Sequence, residues 1–250
     1  MQLGAIRWEE PDLRGCDLRG ANLRKAQITG GRWEGAQLEG AWTKGLRLTG
    51  ADLRGLDLSG SRLYGAILSD CTLSAAQLGG GMLEGITLQK STISGLDLRH
   101  ADLRGLRLSE VRIEGCDLRW AELRCMRLHR VKFRDCALGG ASLRKVRLSE
   151  CDLTQAQLQS ADLSRSKIWH TRLTGADLSH AQLRGAQLGR VCLRDAQLNG
   201  TELYGADLSG CVSFETSMHN VLHDRRTRWP AGHPAPPRRG PRVLRSRSSA

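Results

Sequence analysis

The sequence is decided by residues 51–58, ADLRGLDL. It divides into a five-residue unit (small residue, Asp, Leu, polar residue, Gly) and the start of the next one. Stepping by five from Leu13 gives forty central positions, the last at Leu208. Of these, 33 are Leu and four are Ile (Ile28, Ile93, Ile113, Ile168); only Trp33, Thr43 and Phe133 differ. The frame runs through residues 11–210 without insertion or deletion.

A period of five fits neither the 3.6-residue period of a helix nor the two-residue period of a strand. It fits a coil with flat sides and corners, in which two side chains per side point inward. One is the central Leu. The other, two residues earlier, is mostly small, as at Cys16, Ala21, Ala26, Ala51 and Ala101, which suits a crowded interior. The fifth position is Gly in 21 of forty units, and Gly accepts the positive φ of a tight corner. The side centred on Leu48, Leu68 and Leu88 has Gly at only three of its ten corners. Its other corners are therefore expected to avoid positive φ, including Asp70, Lys90 and Glu150.

The units ANLRK (21–25), ADLRG (51–55, 101–105), ADLSR (161–165), ADLSH (176–180) and ADLSG (206–210) closely resemble the A(D/N)LXX unit of the pentapeptide-repeat family. The resemblance covers about 200 of the 250 residues. It implies an all-β, right-handed quadrilateral β-helix with four units per coil, hence ten coils. At roughly 4.8 Å between hydrogen-bonded neighbours the rod is about 48 Å long. Each coil bonds only to its neighbours, so the ends need caps.

Residues 1–10 continue the frame through Leu3 and Trp8 and read as an N-terminal cap or half coil. Residues 11–210 are the rod. Trp42 beside Thr43 suggests a local bulge, or a Trp folded over the rod edge. After Leu208 the frame fails. Phe214, Met218, Val221 and Leu222 fall on one face of a helix, so residues 211–228 read as a C-terminal cap with a short helix. These four residues are the candidate end-cap or homodimer contact. Residues 229–250 hold all but one of the prolines and several Arg and Ser. They read as a disordered tail.

The N-terminus has no basic start and no apolar run, and no stretch approaches the ~20 apolar residues of a membrane span. The expected compartment is the cytoplasm, with signal-independent export as the alternative. Six of eight Cys occupy the small inward position and read as structural thiols. Cys116 and Cys136, twenty residues apart, stack in adjacent coils, where bridge geometry is demanding. Cys125 and Cys192 face outward and read as the reactive pair. No Cys or His spacing supports a zinc site, no phosphate-loop motif occurs, and none of the seven His has an evident catalytic partner. The chain reads as a non-enzyme, with no cofactor and no metal.

Net charge is +12, of which eight Arg from Arg225 onward account for +8, leaving +4 for residues 1–224. Within the rod, sorting by twenty gives four faces. One carries Asp17, Asp57, Asp97, Asp117 and Asp177 just before the centre. The opposite face carries Arg47, Arg107, Arg127, Arg147 and Lys167 there. The face beside it carries Arg104, Arg124 and Arg144 just after the centre, with Arg130, Lys145, Arg165 and Arg190 at nearby corners and Trp169, His129 and His170 alongside. The candidate anion- or partner-binding edge is Arg104, Arg107, Arg124, Arg127, Arg144, Arg147 and Lys167. The alternative is a solvated face in which Glu110, Glu122 and Glu150 pair with these arginines.

The first functional reading is a non-catalytic rod presenting side chains to another protein. The second is binding of nucleic acid or another polyanion through the basic edge and the Arg-rich tail. The family resemblance adds two more. One is a DNA-like modulator of DNA gyrase, which the excess of 29 Lys and Arg over 22 acids in residues 11–210 argues against. The other is association with bacterial secretion.

Overall fold

The computed structural model describes residues 2–56, 63–74 and 85–237. Its strands are β1 (Arg7–Glu9), β2 (Gln27–Thr29), β3 (Arg47–Thr49), β4 (Ile67–Ser69), β5 (Thr72–Ser74), β6 (Thr87–Gln89), β7 (Thr92–Ser94), β8 (Arg107–Ser109), β9 (Arg112–Glu114), β10 (Arg127–His129), β11 (Arg147–Ser149), β12 (Lys167–Trp169), β13 (Gln187–Gly189) and β14 (Asp207–Gly210). Eleven of them stack in one parallel sheet, from β1 to β14, and β5, β7 and β9 form a second. Other sides are joined by single bridges, such as Asp117 with Ala137 and Glu122 with Ser142. Nearly every bridge joins residues twenty apart, so one circuit is four five-residue units. The molecule is an all-β parallel solenoid, with no helix among the described residues.

The sequence explains each side. In β3, β8 and β10 the middle residue is buried and its neighbours point outward. Every described central residue from Leu13 to Leu208 is buried. Fully burying one Leu side chain contributes roughly 1.5–3 kcal/mol. The small inward residues fill the space beside them; Ala26, Ala36, Ala156 and Ala196 are all fully buried. Trp33 is fully buried at a Leu position. Two residues earlier Gly31 packs tightly on the neighbouring turn: a β-carbon there would lie 2.7 Å from the Pro11 carbonyl oxygen.

The expectation for the corners is overturned. Asp70, Lys90 and Glu150 have φ of 55°, 49° and 55°, and other non-glycine corners such as Lys25, Trp120 and Lys145 are positive as well. Closing a square coil requires the bend, and the packed interior outweighs a local cost of about 1–2 kcal/mol for a non-glycine residue in the left-handed region. The sides do differ in turn closure. At most corners the chain closes a β-turn, as from Cys16 N–H to the Leu13 carbonyl at 3.1 Å, with positive φ at the third residue, the type II pattern. On the side of β4 and β6 this bond is replaced: Cys71 N–H donates to Ser91 Oγ at 3.1 Å.

Two further expectations are corrected. Trp42 makes no bulge; it bridges Asn22 in register, points outward, and lies under the Arg24 guanidinium, 3.9 Å from the ring centre. Nor is there a cap helix at residues 211–228. The solenoid continues: Cys192 bridges Ser213, Gln197 bridges Ser217, Glu202 bridges Leu222 and Asp207 bridges Arg228. The offsets are 21, 20, 20 and 21. One extra residue before Ser213 is taken back before Ser217, and another enters before Arg228, which places Phe214, Met218, His223 and Trp229 where Leu stands in the turn below. The four-residue step from Phe214 to Met218, followed by the inward Val221 and the outward Leu222, imitates a helical face.

The last turn is closed by aromatic rings. Phe214 meets the edges of Trp229 and His233, at centroid distances of 6.2 and 5.3 Å, and His223 stands perpendicular to Trp229. His223 Nε2 lies 2.9 Å from the Pro236 carbonyl. Trp229, His233 and Pro236 of the expected tail thus contact the rod end, while 238–250 lie outside the described residues, as do Asp57, Leu58, Leu78 and Leu83. At the other end Gln2 bridges Asn22 and β1 pairs with β2.

Candidate anion-binding edge

Parallel pairing of β10, β11 and β12 puts Arg127, Arg147 and Lys167 in direct register, and β8 sets Arg107 one rung before Arg127. Adjacent rungs are about 4.8 Å apart. Around the corner, Arg104, Arg124 and Arg144 form the second ladder. The two ladders bound an open groove of about 730 Å³, lined also by Lys145, Cys125 and Met126. Arg147 and Lys167 continue the first ladder beyond it. The structure therefore brings the expected edge together, with five of its seven residues lining one groove.

The ladders differ in their partners. Arg104 holds Asp102 at 2.5 Å, Arg124 reaches Glu122 at 3.3 Å, and Arg144 reaches Asp162 at 4.0 Å. Among the described residues, no carboxylate lies within ion-pair distance of Arg107, Arg127, Arg147, Lys167 or Lys145. Among the described residues, none that lines the groove is acidic. Of the three glutamates expected to neutralise the edge, only Glu122 does so. Glu150 pairs with Arg130 at 2.8 Å instead, and Glu110 has no ion pair among the described residues.

The other edge of the same sheet holds a smaller cleft of about 380 Å³, which the sequence reading missed. Arg130, Lys132, Arg134, His170 and Arg172 line it together with Glu150 and Asp152. Asp152 is buried and held by Arg134 at 2.6 Å and Thr154 at 2.6 Å. These hydrogen bonds hold its carboxyl below the usual range although burial acts the other way. The twenty-residue spacing of Arg112, Lys132 and Arg172 was the available signal.

His129 Nδ1 lies 2.9 Å from Ser149 Oγ, and Trp169 is about half exposed beside Lys167 on β12. The opposite face is less acidic than its aspartates suggest, because an Arg two residues on clamps several of them. Asp17 meets Arg19 at 2.7 Å, Asp97 meets Arg99 at 2.6 Å and Asp117 meets Arg119 at 2.5 Å. The Arg bonds hold Asp17 and Asp97 down at about 2.

The end-cap candidates divide. Phe214 and Val221 are buried, Met218 is partly buried against the core, and Leu222 is exposed. The outward cysteines lie apart: Cys125 at the groove corner with φ 63°, and Cys192 beside Thr174, 3.4 Å from its hydroxyl. Hydrogen bonds lower the Cys192 thiol, while burial pushes Cys136 up to about 12 and Cys151 up to about 11. Among the described residues no group of three His, Cys, Asp or Glu is placed to hold a metal, and no helix is long and apolar enough to cross a membrane.

Stacked five-residue units with a continuous Leu interior define a parallel β-solenoid repeat protein. Family models agree. The chain matches "Pentapeptide repeat region" over residues 126–208 and "Pentapeptide repeats (8 copies)" over residues 9–32, 34–70, 66–105, 83–119 and 101–140. It belongs to the pentapeptide-repeat family. No curated protein sequence matches it significantly. Among solved structures it is similar to a trypsin-treated form of QnrB1, described as a plasmid-mediated fluoroquinolone resistance protein. That match has 16% identity and a TM-score of 0.33, and covers 88% of this chain and 92% of that one. It is also similar to HetL of Nostoc sp. strain PCC 7120, a pentapeptide repeat protein involved in heterocyst differentiation regulation. Here identity is 28% and the TM-score 0.26, with 89% of this chain and 86% of that one covered. A third is a pentapeptide repeat protein of the Arabidopsis thaliana thylakoid lumen, 26% identical with a TM-score of 0.23. It covers 44% of this chain and 66% of that one.

Proposed function

We propose that this protein is a non-catalytic interaction rod that holds an anionic partner along its basic edge. The observation that carries the reading is the run of Arg107, Arg127, Arg147 and Lys167 on successive rungs with no carboxylate in ion-pair range among the described residues. Like charges directly opposite in a sheet are destabilising, and a bound anion offsets that cost. The neighbouring cleft gives the contrast, since its own Glu150 and Asp152 occupy Arg130 and Arg134. A rigid solenoid also holds the ladder at fixed pitch, so little ordering entropy opposes binding.

The test is elution of the full chain from immobilised heparin, which carries both sulfate and carboxylate. Substituting Gln at Arg107, Arg127 and Arg147 should lower the eluting salt concentration clearly. Substituting Gln at Arg14, Arg19 and Arg54, which changes net charge equally, should lower it little. Equal shifts for the two triples would assign binding to overall charge and remove the edge as a site.

A further inference from the structure

The groove carries more information than its sign. Guanidinium groups reach it from both walls: Arg107 and Arg127 from the strand side, Arg104, Arg124 and Arg144 from the adjacent side, with Lys145 at the corner. On the second wall, Arg124 and Arg144 are already directed by Glu122 and Asp162. A carboxylate offers two oxygens, and one guanidinium fork can occupy both. A chain phosphate sets its two non-bridging oxygens tetrahedrally about phosphorus and its neighbours repeat them along the chain, so successive phosphates can face both walls.

Pitch argues the same way. An extended acidic peptide presents same-side carboxylates about 6.7 Å apart. The rungs repeat at about 4.8 Å, so the two series fall out of step within a few rungs. A flexible chain of phosphates has no fixed strand repeat to match.

Beyond the groove, Lys167 extends the ladder and Trp169 lies two residues along the same strand. Its indole lies over Gly189, where a β-carbon would come within 2.1 Å of Cε3. The ring therefore spreads across the next rung as an exposed flat surface. Such a surface beside a basic track suits a stacked base.

We propose that the groove binds a linear phosphate chain, the phosphates bridging the Arg107–Arg127 wall and the Arg124–Arg144 wall. This rests on the anion-binding reading of the same edge. Two sources share the chemistry: the backbone of single-stranded nucleic acid, and inorganic polyphosphate.

The experiment titrates the full chain with fluorescent oligo(dT), polyphosphate and poly-L-glutamate at one salt concentration. The phosphate probes should bind about tenfold or more tightly than polyglutamate of matched charge. Binding should fall about tenfold or more on substitution of Gln at Arg107, Arg124 and Arg127, and little for the Arg14, Arg19 and Arg54 control. A single cooperative thermal transition and an unchanged β-type circular dichroism spectrum show that both triples stay folded. Polyglutamate binding as tight as the phosphate probes, with the same dependence on the groove, would overturn the phosphate assignment in favour of an acidic protein while leaving the anion edge intact. Binding of any probe that ignores the groove triple would overturn both. Trp169→Ala names the source: weakening of oligo(dT) alone points to nucleic acid, and no change for either phosphate probe points to polyphosphate.

Discussion

Arg127 and Arg147 stand directly opposite one another in the parallel pairing of β10 with β11. Two guanidinium stems on adjacent rungs raise the energy of the empty rod. Like-charged pairs directly opposite in a sheet are destabilising. Replacing both residues with Gln should therefore raise the thermal midpoint at low salt while weakening anion binding. The gain should shrink as salt screens the pair. Melts of the full chain at low and high salt check this; a lowered midpoint at low salt would show that the pair is not repulsive.

Leu118 is fully buried between the turns that carry Leu98 and Leu138. Leu118→Ala should cost about 2–5 kcal/mol through lost burial and a cavity. Leu118→Asp should cost more, because it places an unpaired carboxylate among leucines. Thermal denaturation followed by circular dichroism measures both. An unchanged melt for Leu118→Asp would contradict the stacked-Leu interior.

The cysteines should separate sharply by reactivity. A thiolate is the reacting form, and burial holds Cys136 and Cys151 at about 12 and 11. Cys125 is exposed and Cys192 partly so. Brief treatment of the native protein with iodoacetamide, followed by peptide mass spectrometry, should label Cys125 and Cys192 first. Cys136 and Cys151 should label only under denaturing conditions. Early labelling of Cys136 would place it outside the core.

The Asp–Arg clamps predict an acid-dependent loss. Asp12, Asp17 and Asp97 are held at about 2 by their Arg partners, against about 3.9 for a free Asp. A carboxyl with a lower pKa in the folded state stabilises above its unfolded pKa, and the contribution disappears as pH falls through the folded value. Substituting Asn at all three positions should lower the thermal midpoint at neutral pH. The gap from the unsubstituted protein should close between about pH 4 and pH 2. The effect is modest because these pairs are exposed. A gap that widened on acidification would contradict the assignment.

The rod was legible because a five-residue frame of Leu can be read without knowing any contact. The corners were not legible, because the presence or absence of glycine does not report where the chain needs positive φ. Lys145 and Glu150 show that coil closure imposes the angle whatever the residue. The last turn does not follow the five-residue frame because one-residue shifts move Phe214 and Trp229 off it while Met218 and His223 stay on it, and only the bridges of Ser213 and Arg228 reveal their places. Of the site, both basic ladders could be read by counting in twenties. Their pairing could not. Whether Glu150 reaches Arg130 or the neighbouring ladder depends on side-chain direction at a corner, which spacing alone leaves undetermined.

If the ladder itself contacts anions, the salt dependence of binding must carry its three arginines. Affinity for a phosphate chain should fall linearly with salt on logarithmic axes, with a slope set by the number of phosphates neutralised. When polyphosphate is titrated across a salt series, Gln at Arg107, Arg127 and Arg147 should flatten the slope by about 2. A slope identical to that of the unsubstituted chain would show that these three arginines touch no phosphate, and would contradict the account.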